Sequence, residues 1–225
     1  MPAGGKQGRL TRVPDVPMLR EDKARQGFFE RADFEAVAVK LEDPIGDVGR
    51  FAYLSGWRKG ELLPLTWAAI DLGPREIWLR TSKNGRGRVL SYDEGNELAD
   101  LIERRWKARE FTTRDKQTGI SEYVFHRRGA PIVDFTKPWA KACKDVKVPG
   151  RLFHDLRRTA VRDMMRAGVP QPVAMAISGH KTVSVFFRYN ITNEDDKREG
   201  LRRLQAHRAA QPAERKVVDM AGAAR

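Results

Sequence analysis

Four short segments concentrate side chains able to hold a phosphate or move a proton: Ser55-Gly-Trp-Arg-Lys-Gly-Glu-Leu-Leu, Thr81-Ser-Lys-Asn-Gly, Phe153-His-Asp-Leu-Arg-Arg-Thr, and Ser178-Gly-His-Lys-Thr followed by Arg188-Tyr-Asn. Guanidinium forks match phosphate oxygens, and histidine changes charge near neutrality. Taken singly, each segment has an ordinary reading. Arg58 with Glu61 one helical turn later is a surface ion pair. His154 caps or packs a helix start, Gly179-His180 ends a helix with the imidazole on its last carbonyls, and Tyr189 is a core aromatic with a bonded hydroxyl. In a helix opening at His154, about 100° per residue puts His154, Arg157 and Val161 on one flank, so His154 and Arg157 can address one ligand. Arg158 lies close enough to that flank that geometry alone does not choose between the two arginines. The chain has no His-Glu-x-x-His motif and no nucleotide-gripping Gly-rich loop ending in Lys-Ser/Thr. Cys143 is its one cysteine, which excludes an intrachain disulfide and a multi-thiolate metal site.

The elements that must carry these segments follow from periodicity. Apolar spacings of three and four predict helices over 31–41, 45–54, 94–109, 135–145, 154–167, 171–177, 183–188 and 193–207, with a short one over 59–63 closed by Pro64. Gly56 suits the left-handed position just past the second helix. Alternation over 75–92, interrupted by Asn84-Gly85, predicts a β-hairpin with Lys83 at its tip. A short strand over 123–125 precedes a Gly-Ala-Pro turn. The expected fold class is mainly α with a small antiparallel sheet (α+β). The expected organisation is a basic arm or linker stump over 1–26, one folded domain over 27–207 and a tail over 208–225.

The 225 residues include 43 Lys+Arg against 30 Asp+Glu, a formal net charge of +13. Such a balance points to a polyanion, because cations bind nucleic acid by releasing its condensed counterions. No apolar run approaches the roughly 18–20 residues that span a bilayer, and the N-terminus lacks the apolar core of a secretion signal. The expectation is a cytoplasmic, nucleoid-associated protein with no membrane partner. A basic RNA-binding module fits poorly, since no aromatic-rich strand motif for stacking bases appears.

In order and together, the segments resemble the catalytic domain of tyrosine recombinases, the phage-integrase family, over about 31–205. The motifs are an Arg in a helix-opening Gly-x-Arg-x-x-Glu, a Lys in a hairpin turn, His-x-x-Arg, Gly-His, and a Tyr nine residues after that His. The resemblance implies a tyrosine recombinase catalytic-domain-like fold and catalytic Arg58, Lys83, His154, Arg157, His180 and Tyr189, taking Arg157 over Arg158 because the pattern counts three from the His. It departs from the family at Ser178, where Leu is frequent, and at Asn190-Ile191, which lack the His common after the Tyr. Members usually carry a DNA-clamping domain first, for which the residues before Arg31 are too few.

The implied reaction is DNA breakage and rejoining through a 3′-phosphotyrosyl intermediate. Tyr189 attacks, Arg58 and Arg157 stabilise the pentavalent phosphate, Lys83 protonates the leaving 5′ oxygen, His154 assists proton removal or orients the phosphate, and His180 donates a further hydrogen bond. A phenol with a pKa near 10 needs cationic neighbours to react at neutral pH. The partners implied are double-stranded DNA, further copies in a homotetramer on that DNA, and accessory DNA-bending proteins. No cofactor and no metal are called for. Two rival readings are a type IB topoisomerase-like enzyme and a truncated integrase remnant that binds DNA without recombining it.

Overall fold

The computed structural model describes residues 27–79, 87–113, 115–189 and 194–211. The expected arm, the hairpin tip with Lys83 and Asn84-Gly85, the pair Asn190-Ile191 and the last residues of the tail lie outside them.

Helix α1 (Arg31–Val39) buries Phe34, Val37 and Ala38, the positions its period selects. Helix α2 (Asp43–Ser55) carries a proline in its first turn and buries Ile45, Val48, Phe51 and Ala52, so most of its surface is core. It ends at Gly56, whose φ of 69° is the left-handed conformation expected there. A Cβ at Gly56 would also come within 3.3 Å of Ala160 and 3.4 Å of Ser178, so this turn needs glycine for both its dihedral and its close packing. Helix α3 (Lys59–Leu62) is the short one before Pro64.

The hairpin is wider than the sequence suggests. Strands β1 (Ile70–Asp71), β2 (Glu76–Leu79) and β3 (Arg88–Ser91) form a three-stranded antiparallel sheet in that order. Its register pairs Ile77 with Leu90 and Leu79 with Arg88. Helix α4 (Glu97–Lys107), capped by the Asn96 side chain, buries Leu98, Leu101 and Ile102. A second hairpin, β4 (Glu110–Thr112) with β5 (Thr118–Ile120), was not legible, because each strand offers one large apolar residue and Ile120 faces solvent. The strand expected over 123–125 is not one. Tyr123 makes an isolated bridge with Thr66, while Val124 and Phe125 are apolar because they are core. The strands there are β6 (His126–Arg127) and β7 (Ala130–Pro131), and the turn is Arg128-Gly129, both at positive φ, rather than Gly-Ala-Pro.

Helices α5 (Thr136–Asp145), α6 (Asp155–Arg166), α7 (Gln171–Ser178), α8 (Val183–Phe187) and α9 (Glu194–Ala209) complete the chain. The main core runs through α1, α2, α4 and the start of α6, with Phe34 stacked on Tyr53 and Phe153 edge-on to Phe135 and Trp139. A smaller cluster of Val161, Ala174 and Phe186 joins α6, α7 and α8, and Tyr189 packs on it. The packing of α6 against both α2 and α7 brings the described parts of three of the four chemistry-bearing segments together. Helix α9 buries no residue and leaves Leu201 and Leu204 exposed. Arg166 holds it through Asp196 at 3.0 Å and through its own carbonyl, which accepts from Arg203. No helix among the described residues is long and apolar enough to cross a membrane.

Candidate active site

The site is built around a buried cation. Arg157, from the first turns of α6, is 1% exposed, and its Nη1 donates to the carbonyls of Gly56 and Ser178. These carbonyls belong to the C-terminal ends of α2 and α7, where helices leave acceptors unpaired and carry partial negative charge. One guanidinium therefore joins two helix ends from opposite sides of the sequence. Trp57 reinforces the join by donating from Nε1 to Ile177 O at 3.0 Å. Burial, and then Arg58, push the Arg157 pKa down to about 9, which leaves it a cation at neutral pH.

Arg58 stands at the start of α3. Its backbone N–H donates to Glu61 Oε2 at 2.9 Å and its Nη1 to Oε1 at 3.1 Å, so the pair read from the sequence forms. It is only part of the arrangement. Arg88, on β3, donates to the same carboxylate at 2.7 Å and lies over the Trp57 ring at 4.4 Å. Burial alone would raise the Glu61 pKa, but the hydrogen bonds from Arg88 and the Arg58 amide hold it below the usual carboxylate range. Sequence reasoning missed Arg88. The signal was present, since Arg88 shares strand parity with Leu90, which the register pairs with buried Ile77, so a charge sits on the sheet's inward face.

The end of α7 presents the second histidine. Gly179 at φ 71° closes the helix, and the His180 N–H donates back to Met175 O at 2.9 Å. A Cβ at Gly179 would overlap the Arg88 guanidinium, so this glycine also lets the hairpin strand approach the helix end. Nε2 of His180 is 2.9 Å from Arg157 Nη2, and Nδ1 is 2.8 Å from Ser178 Oγ. Burial, and then Arg157 and Arg58, depress the His180 pKa to about 3, so the ring is neutral. Arginine only donates, so Nε2 must accept. In the free protein this nitrogen has no proton to give, where a donor was expected.

Tyr189 follows α8, and its hydroxyl lies 2.9 Å from His154 Nε2. Burial, followed by Arg157 and Arg158, lowers the His154 pKa, which keeps the imidazole available as a base. The guanidinium carbons of Arg157 and Arg158 stand 5.8 Å and 5.6 Å from the Tyr189 ring centroid. The two arginines divide as the spacing argument leaves open. Arg157 is the buried one joined to both helix ends, while Arg158 borders the tyrosine with its Nε 4.0 Å from Asp155. Arg157 Nε, Arg158 Nε and Nη1, and Arg88 Nε are all buried without a hydrogen-bond partner among the described residues.

Five of the six sequence-predicted residues thus meet: Arg157 touches His180, His154 touches Tyr189, and Arg58 stands close enough to Arg157 to lower its pKa. Lys83 lies outside the described residues; the strand residue Arg88, paired with Leu79, is bonded to Glu61. Among the described residues, no three His, Cys, Asp or Glu side chains are grouped to hold a metal ion.

Comparison with known proteins bears on the family and the fold. The model of the phage integrase family matches residues 47–196. An integrase of Salmonella phage P22 is 20% identical over 186 residues, covering 80% of this chain and 47% of the relative, so the chain spans about half the length of the curated protein it matches. Among solved structures, the Tn1549 transposon integrase in complex with transposon right-end DNA superposes with a TM-score of 0.65 at 19% identity, over 89% of this chain and 74% of that one. The XerA recombinase gives 0.62 at 19% identity, over 80% and 65%. The catalytic domain of bacteriophage HP1 integrase gives 0.55 at 19% identity, over 83% of this chain and all of that one. At such identities these likenesses establish a common fold.

Proposed function

Since the chain belongs to the phage integrase family, we propose that it is a site-specific DNA recombinase of a mobile element, cutting and rejoining strands by transesterification at Tyr189. The Tyr189 oxygen attacks the scissile phosphorus, a new phosphorus–oxygen bond forms to tyrosine, and the bond to the 5′ oxygen breaks. The products are a 3′-phosphotyrosyl strand and a free 5′ hydroxyl. The reverse attack by another strand's 5′ hydroxyl rejoins the DNA and restores the phenol.

Each residue has a task set by its chemistry. Neutral His154 takes the phenolic proton across its 2.9 Å contact. Arg58 and Arg157 bind the non-bridging oxygens, where negative charge grows as the fifth bond forms. Arg158, beside the tyrosine ring, adds to the positive field that favours phenolate. Lys83, which the sequence pattern assigns to the hairpin turn, is the acid for the 5′ oxygen. His180 acts on the phosphate through Arg157.

The observation that carries this reading is the set of buried guanidinium donors left without partners among the described residues, beside a tyrosine hydrogen-bonded to a histidine. Buried donors are satisfied in folded proteins, and the oxygens of a phosphodiester would complete these. Double-stranded DNA is the partner, in keeping with the net charge of +13. The working assembly is a tetramer on DNA, with the exposed Leu201 and Leu204 stripe of α9 as a contact between subunits. Acting on DNA, the protein works at the nucleoid. The test is a nicked suicide substrate, with the covalent adduct digested and the labelled peptide identified. The label is expected on Tyr189; a label on Tyr53, Tyr92 or Tyr123 overturns the assignment.

A further inference from the structure

Ser178 is fully buried at the last turn of α7 and lies between two groups that compete for its one hydroxyl proton. Its Oγ is 2.6 Å from Ala174 O and 2.8 Å from His180 Nδ1. The direction of each hydrogen bond follows from the far end of the chain. Arg157 has no acceptor, so the 2.9 Å contact of its Nη2 with His180 Nε2 requires a lone pair on Nε2. A neutral imidazole with a bare Nε2 carries its proton on Nδ1. Nδ1–H then donates to Ser178 Oγ, which leaves the serine hydrogen for Ala174 O. All three contacts are satisfied by this one arrangement. The opposite tautomer would set Nε2–H against an arginine N–H, and the serine would have to abandon the helix carbonyl.

The surroundings admit no charged alternative. The ring faces Arg157, Arg58, Arg88 and His154, and is closed in by Phe186 and Tyr189 with centroids at 5.4 Å and 4.8 Å. None of these is an anion that would stabilise an imidazolium.

We propose that Ser178 is a positioning residue, which fixes His180 as the Nδ1–H tautomer so that Nε2 holds the Nη2 edge of Arg157 while the Gly56 and Ser178 carbonyls hold Nη1. The guanidinium is then pinned through Nη1 and one Nη2 hydrogen, and the donors left for an anion are its Nε–H and the second Nη2–H. The part of this inference that concerns turnover rests on the reading of the site as a phosphoryl-transfer centre. The tautomer itself does not.

The experiment separates the two. With ¹⁵N-labelled histidine in the full chain, long-range ¹H–¹⁵N correlation spectra at neutral pH distinguish a protonated from a bare ring nitrogen. His180 is expected to show a protonated Nδ1 and a bare Nε2 in the wild type, and a wild-type ring protonated at Nε2 overturns the proposal with no variant needed. In Ser178→Ala, Nδ1 loses its acceptor and the spectrum is expected to move toward the Nε2–H form. Adduct formation at saturating DNA should slow by about five- to tenfold, the worth of one neutral hydrogen bond, with DNA affinity unchanged. Ser178→Thr, which keeps the hydroxyl, should restore both spectrum and rate. A Ser178→Ala protein with wild-type tautomer and rate also overturns the proposal. If the wild type shows the expected tautomer but forms no adduct at Tyr189, the functional reading falls and the Ser178–His180–Arg157 relay stands.

Discussion

The Tyr189 hydroxyl is hydrogen-bonded to His154 Nε2 at 2.9 Å before any DNA is present. The proposed nucleophile and its proposed base are thus brought together by the fold itself, across the gap between α6 and α8. Because burial and then Arg157 and Arg158 lower the His154 pKa, the basic form survives to lower pH than in a free imidazole. The rate of adduct formation should therefore stay level as pH falls through about 6.5, the ordinary histidine value, and decline only below it. An acid limb at or above that value would count against His154 as the base. His154→Ala should cost about 10²–10⁴ in rate, the usual range for a positioned base.

Arg58 and Arg157 share a proposed role but not a structural one. Arg157→Ala leaves the Gly56 and Ser178 carbonyls buried without a donor, so it should destabilise the fold by about 2–5 kcal/mol as well as abolish cleavage. Arg58 is part-exposed, and Glu61 keeps Arg88 when Arg58 is lost, so Arg58→Ala should abolish cleavage while changing stability by about 1 kcal/mol or less. Denaturant unfolding of the two variants checks the contrast, and equal losses would contradict it.

His180 should make the protein acid-sensitive in a defined window. Its folded pKa of about 3 lies below the unfolded value near 6.5, so its contribution is complete above about 6.5 and drains away as pH falls toward 3. His180→Gln removes the titrating group. Its stability should fall less steeply than the wild type's across that window, and parallel curves would refute the assignment.

Much of this site could be read from residue order, and what could not was hidden for identifiable reasons. Gly56, Arg58, His154, Arg157, Gly179, His180 and Tyr189 are spaced by helix ends and turns, which are local features. Arg88 and the carbonyl partners of Arg157 are tertiary. Nothing local says that the ends of α2 and α7, over a hundred residues apart, will share one guanidinium. The hairpin of β4 and β5 was missed because its strands bury little, and 123–125 was misread because a core-filling Val124-Phe125 pair has the same apolar signature as a strand.

For Lys83 as the acid, Lys83→Ala should be far slower on ordinary DNA and largely rescued by a 5′-bridging sulfur, which leaves without a proton. Arg157→Ala should gain nothing from the sulfur. Equal rescue of both would remove the distinction between acid and charge stabiliser.

Helix α9 carries an acidic first turn and an exposed leucine pair, and it touches the rest of the described chain mainly through Arg166. Ending the chain at residue 192 should therefore spare binding to a single DNA site but impair the pairing of two sites. Native gels resolve the two states, and undiminished pairing would argue against α9 as an intersubunit contact.

The carbonyls that receive Arg157 flank it in the order of synthesis, one from residue 56 and one from residue 178. As the polypeptide leaves the ribosome, the guanidinium emerges with half of its seat missing, because α7 has yet to be made. Tyr189, the proposed nucleophile, comes later still. A partly translated chain that stops short of α7 thus holds neither an anchored Arg157 nor Tyr189. On the proposed function, no chain can cut DNA before residue 189 has been made, so the order of the residues itself guards the genome against an unfinished enzyme.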